Sequence, residues 1–524
     1  MKLRYILTGA LAAGILFTAN SCSGKLDIPQ HSVVAIDDFY KTDTEAEEAI
    51  VAAYYQFKTV HSGGTSSAAW LLNFLGDDLW TGGGSRADGI YYQYCEYTFV
   101  DGNSVIKNLY QGLYTLIYRC NLVLERVTGD SAVMKRARAE ALTMRAWANF
   151  ELVTLWGTAP LVDHVLGPDE YMMSNSANTG VLWTAIETDL QNAISSGALT
   201  DQTGTYRMTK GFAQAMLAKA YLWQNKYAEA SRVYDEIIGS KKFSLQADLT
   251  NFGTIKGDVS SEDLFCMRGI DDASNSGPNA TFRGMWTGLR AERFEYNYDK
   301  SRPATANFAT YPFGFQVCPT KALYDKFVEV EGVDGYRVKN FILTYQEMQD
   351  EFNTRVKEGM PIYDCEGYFN RKYMIWKDNG SAYRYPLPDH IMRYDEVLCF
   401  AAEAYFQNKE NSKAVSCINE IRTRAQAPTI TEGELSLQLI KDESWMELCF
   451  EGLRYQNIIR WGDAPALLAN RGATHPQLNQ DGTVDYIDYG AGSVGFKSPK
   501  HLLLPFPADE MSVNPNMVQN EGWK

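Results

Sequence analysis

Two stretches of the chain set aromatic faces beside planar polar groups. The first, GDDLWTGGGSR from Gly76 to Arg86, holds Trp80 among Asp77, Asp78 and Arg86, next to three consecutive glycines that oppose regular structure. The second, Thr281 to Phe315, carries nine aromatic and four arginine residues, among them Arg283, Trp286, Arg290, Tyr296 and Tyr298. A saccharide presents flat C–H faces rimmed by hydroxyls. A groove for it needs exposed rings to stack on, with carboxylates, amides or guanidinium groups to pair with adjacent hydroxyls. Both stretches supply both kinds of group, so these residues are candidate ligand contacts. The same rings would serve equally as packing between loops, because Trp and Tyr are commonly buried.

Other constellations read as structure. Glu447, Glu451 and Arg454, at i, i+4 and i+7, would share one helix face and mimic the paired carboxylates of a glycosidase. They stand beside Phe450 and Leu453 in a helical frame, which makes them a structural ion network, and Glu396 and Glu403 read the same way. GAGSVG, Gly490 to Gly495, fits the dinucleotide spacing. No strand pattern precedes it and Pro499 follows where a helix should open, so it is read as a flexible loop. The six histidines show no ligand spacing, so neither a metal nor a cofactor is indicated, with a structural calcium ion left open. With 49 basic against 64 acidic residues and a net charge of -15, the chain lacks the basic footprint of a general nucleic-acid binder.

The elements that must position the two loops are helical. Apolar residues recur at helical spacing through Ile391, Tyr394, Leu398, Ala402 and Tyr405, then Ala414, Ile418, Ile421 and Ala425, then Leu435, Leu439, Met446, Phe450 and Leu453. The first two stripes have an earlier counterpart. Ala218, Ala220, Tyr221, Ala230, Glu236 and Ile237 match Ala402, Ala404, Tyr405, Ala414, Glu420 and Ile421 at equal offsets. Short alanines where two helix axes cross, followed by an aromatic residue, describe a tetratricopeptide-type hairpin. Further helices are expected from Thr44 (as N-cap) to His61, Asn103 to Val127, Ser131 to Trp156 and Thr179 to Ser195. The segment Ser240 to Pro386 is rich in Gly, Pro, Asn, Asp and rings, the composition of a loop-built binding surface on a regular frame.

Lys2 and Arg4, the apolar run Ile6 to Phe17, and small or polar residues ahead of Cys22 form a bacterial lipoprotein signal, with Cys22 as the lipidated N-terminus. Of the other eight cysteines, those at 120, 399, 417 and 449 fall among apolar helical neighbours and are expected as mostly free, buried thiols. The organisation that follows is a signal peptide (1–21), a tether (22–40), an N-terminal helical region (41–240), a loop-rich ligand-binding lobe (241–388) and a C-terminal helical region with an extended tail (389–524).

Four segments resemble the SusD/RagB family of outer-membrane nutrient-binding lipoproteins: Ala139 to Val162, Gly211 to Ala230, Arg393 to Gly462, and Leu502 to Trp523. Ser444 and Asn457 depart from the Arg and Asp that are common in that family. The resemblance implies a mainly α fold, a tetratricopeptide-like superhelix with a large loop-rich lobe inserted. It also implies lipid anchorage in the outer membrane, facing outward, beside a SusC-like TonB-dependent transporter. The ligand would be an oligo- or polysaccharide captured without catalysis. The alternatives are a peptide receptor of the same architecture and, from another class, an exported glycoside hydrolase.

Overall fold

In the computed structural model the helices stack largely in chain order. Helix α1 (Asp43–His61) packs on α2 (Ser104–Arg126) and α3 (Ala132–Trp156), α3 on α4 (Thr179–Ser195), α4 on α5 (Lys210–Trp223), and α5 on α6 (Tyr227–Ser240). The next layer is α7 (Tyr394–Gln407), which lies directly on α6 and on its hairpin partner α8 (Asn411–Arg424), with α9 (Leu437–Glu447) behind it. Described residues are 39–524 apart from 65, 84, 87–89, 203–205, 252–259, 269–287, 306–309, 312–316, 375–387 and 491. The signal peptide, Cys22, most of the tether, Arg283 and Trp286 therefore lie outside them.

The internal repeat is realised residue for residue. Each of the four helices in the two hairpins has 14 residues. Ala218, Ala230, Ala402 and Ala414 are fully buried at the crossings, where a larger side chain would push the axes apart. The turns match too: Asn225 and Lys409, at equivalent positions, both take the left-handed backbone conformation (φ 58° and 62°).

Two sequence expectations about helix ends are corrected. The N-cap of α1 is Thr42, whose hydroxyl accepts from the Glu45 N–H while the Glu45 carboxylate accepts from the Thr42 N–H. Glu47, which would have closed the same box on Thr44, is instead bound to Arg136 and Arg207. The third C-terminal stripe is not one helix. Helix α9 ends at Glu447, Phe450 and Gly452 turn left-handed (φ 70° and 80°), and α10 (Arg454–Arg460) begins anew. Lys372 drives the break by donating to the carbonyls of Glu447 and Cys449 and to the Glu451 carboxylate. A side chain at Gly452 would also meet the Ala69 carbonyl at 3.1 Å.

Between α6 and α7 the chain builds the lobe. It leaves along β2 (Asp263–Arg268) and returns along β7 (Pro388–Arg393), and these two strands pair antiparallel. Beyond them a second core gathers Leu289, Phe294, Leu343, Met348, Ile362 and Phe369, separate from the core of the helical stack. Residues from both ends of the chain enter it: Trp80 of β1 (Leu79–Trp80), Cys95, and Leu478 of β8 (His475–Leu478).

A buried ion network locks this junction. Arg393 bridges Glu262 (2.9 Å) and Glu451 (2.5 Å), Arg424 reaches Glu447 (2.5 Å), and Arg337 reaches Glu331, Glu443 and Glu447 (2.5, 2.8 and 3.0 Å). Burial opposes charge on Glu451, but Arg393 and Lys372 hold it down at about 2. Glu447 and Glu451 are thus structural, as expected, and Glu403 is clamped by Arg460. Arg454 leaves the network for Asp77. The eight cysteines from Cys95 to Cys449 are all buried thiols, and none of them forms a disulfide.

Candidate ligand-binding surface

The Trp80 stretch turns inward. Strand β1 pairs with β4 (Cys318–Pro319), Trp80 opposite Cys318, which places the indole in the lobe core at 6% exposure. Its N–H donates to Glu366 (3.1 Å) and the Arg471 guanidinium lies 3.8 Å from the ring centre. A ring held on one face by a cation and at its edge by a carboxylate offers no open face, so Trp80 is a packing residue here. Asp77 is occupied by a two-pronged bond from Arg454 (2.6 and 2.8 Å). Asp78 is 1% exposed; burial, with Asp77 adding to it, pushes its carboxyl up to about 7. Of this set only Arg86 reaches the surface. Its guanidinium binds Glu96 through two bonds (2.6 and 2.7 Å), lies 4.2 Å over the Tyr92 ring and stands 5.6 Å from the ring of Tyr489.

Beneath Arg86 sits His475. Its Nε2 is 3.0 Å from Glu96 and its Nδ1 is 2.6 Å from Asp364, with the Tyr363 ring stacked on it at 5.5 Å. Burial disfavours the charged imidazole, but the two carboxylates outweigh it and raise His475 to about 9. Burial likewise opposes ionisation of Glu96, and His475 and Arg86 overcome it to hold that carboxyl at about 2. The order of support is therefore Asp364, His475, Glu96, Arg86, ring.

The second stretch contributes a second guanidinium–tyrosine pair. Strand β3 (Phe294–Tyr296) pairs with β5 (Thr354–Val356), Glu295 opposite Arg355. Arg355 binds Glu295 at 2.8 Å and lies 4.6 Å over the half-buried Tyr298 ring. Tyr296 packs against Phe294, and Arg290 bonds Glu292 (2.7 Å). Between the two guanidinium–tyrosine pairs runs the hairpin of β8 and β9 (Val484–Ile487), with β8 also paired to β6 (Ile362–Tyr363). Tyr345 fixes its turn by donating to the Gln480 carbonyl while accepting from the Val356 N–H. Beyond the turn, Tyr486 (53% exposed) donates to Glu366, and Tyr489 (39% exposed) follows three residues later. At about 3.3 Å per residue the face from the turn to Tyr489 is about 20 Å long.

Reading the sequence missed these two rings. The signal was present in the Asp481–Gly482 pair followed by Thr483, Val484, Tyr486 and Ile487, a turn dipeptide leading into β-branched and aromatic residues, the mark of a hairpin strand. The same strand corrects the reading of Gly490 to Gly495. A strand does precede the glycines, but no helix opens after them: the next element is the short 3-10 turn Lys500–Leu502.

A stack of helical hairpins carrying an inserted lobe with its own core, and a tyrosine–guanidinium face on that lobe, defines a helical-repeat scaffold with a loop-built surface. Residues 345–523 match the family model described as "SusD family", and residues 45–222 match one described as "Starch-binding associating with outer membrane". The chain belongs to the SusD family. Two SusD-like proteins of Formosa agariphila are 25% and 23% identical to it, each match covering 97% of both chains. Among solved structures, a laminarin binding SusD-like protein superposes with a TM-score of 0.75 at 24% identity, covering 91% of this chain and 99% of that one. Surface glycan-binding protein A from Bacteroides thetaiotaomicron, in complex with laminarihexaose, gives 0.72 at 21% identity, with coverage of 91% and 99%.

Proposed function

We propose that this protein is a surface-exposed, lipid-anchored glycan receptor. It captures an oligo- or polysaccharide on the β8–β9 face and passes it, without cleaving it, to a SusC-like TonB-dependent transporter. The observation that carries the reading is the pairing of tyrosine rings, Tyr489 exposed and Tyr298 half-buried, with buttressed guanidinium groups beside the β8–β9 hairpin. Tyr489 and Tyr298 supply the faces, while Arg86 and Arg355 donate to hydroxyls from positions fixed by Glu96 and Glu295. The match of residues 45–222 to a family model described as starch-binding and associating with the outer membrane supports the reading, and so do neighbours named for laminarin and laminarihexaose. Glu366, which holds the exposed Tyr486, already accepts bonds from Trp80, Lys321 and Tyr486, which suits a fixed prop better than a catalytic acid.

The test is retention of the purified protein in affinity gels and on a glycan array that includes laminarin, with a peptide library alongside. Retention by a glycan is expected. Tyr489→Ala and Tyr298→Ala should each weaken it roughly 2- to 10-fold, the equivalent of about 0.5–1.5 kcal/mol per lost ring contact. Binding of peptides with indifference to every glycan, or full retention in the double variant, would overturn the assignment.

A further inference from the structure

The pairing of β2 with β7 brings together three metal-binding side chains that stand far apart in sequence. His390 lies opposite Cys266 in the ladder, and Asp263 is three residues before Cys266. In a regular strand residues three apart point to opposite faces. Here the ladder slips between His390 and Met392 and again between Met392 and Arg393, and such irregularities re-aim side chains. As a result the donor atoms of Asp263, Cys266 and His390 all lie within 4.8 Å of one another, and all three residues are buried.

We infer that Asp263, Cys266 and His390 form a site for a divalent transition-metal ion of the zinc class. A thiolate, an imidazole and a carboxylate make a mixed donor set that suits zinc and is wrong for calcium or magnesium, which take oxygen ligands. Bonds of about 2.0–2.3 Å in a tetrahedron require donors roughly 3.5 Å apart, within reach of small side-chain rotations from the present spacing. The surroundings are those of a supported site. One Asp263 oxygen accepts from the Ser260 N–H (3.1 Å), which fixes the carboxylate, while the other is hydrogen-bonded to His390 Nδ1, a contact the ion would replace. His390, though neither Asp263 nor Cys266, also lines a partly open cavity of about 70 Å³. That volume accommodates a water-sized fourth ligand. The location gives the ion a purpose: β2 and β7 are the two strands through which residues 269–387 join the helical stack, so a bound ion would staple the neck of the lobe.

The test uses the full-length protein, reduced and stripped of metal, titrated with cobalt(II) alone. A thiolate-to-metal charge-transfer band should grow to saturation at one equivalent and collapse on adding zinc(II). Cys266→Ser should abolish the band, whereas Cys449→Ser, which removes another buried thiol, should leave it unchanged. Zinc(II) should raise the Tm of the parent protein, reversibly with a chelator, and leave Cys266→Ser unaffected. X-ray absorption of the zinc-loaded parent protein gives a readout that needs no variant, with one sulfur and at least one imidazole expected around the ion. No charge-transfer band in the parent protein, a band that persists in Cys266→Ser, or a zinc shell without sulfur would each overturn the site.

Discussion

His475 can be used to titrate the platform from below. Its side chain is 1% exposed between Glu96 and Asp364, and its imidazole is raised from 6.5 to about 9. At about 1.36 kcal/mol per pH unit, the charged imidazole favours the folded state by about 3 kcal/mol. Because the folded value is the higher one, that contribution is complete below about pH 6.5 and disappears as pH rises through about 9. His475→Gln keeps the shape and hydrogen-bonding capacity but cannot charge. In paired urea or thermal melts, the parent protein should exceed the variant by about 3 kcal/mol more near pH 6.5 than above pH 9. Asp78, Glu140 and Glu151, each raised to about 7, also weaken the fold as pH rises. They are present in both proteins and cancel in the difference. Without the imidazolium, Glu96 loses one of its two cationic partners, so Arg86 should loosen and glycan retention should fall along with stability. A stability gap that stays the same across this pH range would show that His475 is not held charged, and the chain of support from Asp364 to Arg86 would fail with it.

Burial pushes the Glu151 carboxyl up to about 7, and Gln456 donates to it at 3.0 Å. A raised acid penalises the fold progressively from about pH 4.5 to 7, so Glu151→Gln should raise the Tm above pH 7 and leave it unchanged near pH 4. Ala402→Leu, at a fully buried helix crossing, should cost about 1–3 kcal/mol by overpacking, read as a lower Tm with the helical circular dichroism intact. Cys22→Ala should move the protein from the membrane fraction to the soluble one. Persistent membrane association of that variant in cells lacking the transporter would rule out the lipid anchor.

The frame was legible because its determinants are local. Ala at the crossing, an aromatic one position on and a polar turn recur within about thirty residues, and packing follows directly from that spacing. The binding face was only partly legible, because what decides whether a ring is open or sealed is a long-range partner. Trp80 is closed by Glu366 and Arg471, nearly 300 and 400 positions away, and Asp77 by Arg454, which a continuous helix would have pointed elsewhere. The break at Phe450 and Gly452 depends on Lys372, a residue of the lobe, which no periodicity within 435–453 could reveal. Arg86 and Tyr298, expected from the sequence, belong to the proposed face and Tyr296 packs on Phe294, but Tyr486 and Tyr489 come from a short strand close to the C-terminal end and the residues just after it.

Because α6 rests directly on α7, the stack is sealed across the splice, whatever lies between them. The two strands at the splice run side by side, so lengthening the intervening chain adds closure entropy only logarithmically, about 0.6 kcal/mol per doubling. The inserted portion therefore behaves as an exchangeable cartridge. The part of the proposed face that it carries, Tyr298 and Arg355, can be rewritten while the helical chassis keeps its shape. The replacement must still receive the three plugs, Trp80, Cys95 and Leu478, that the chassis pushes into it, and must still return cations in place of Arg337 and Lys372 to the buried Glu443, Glu447 and Glu451.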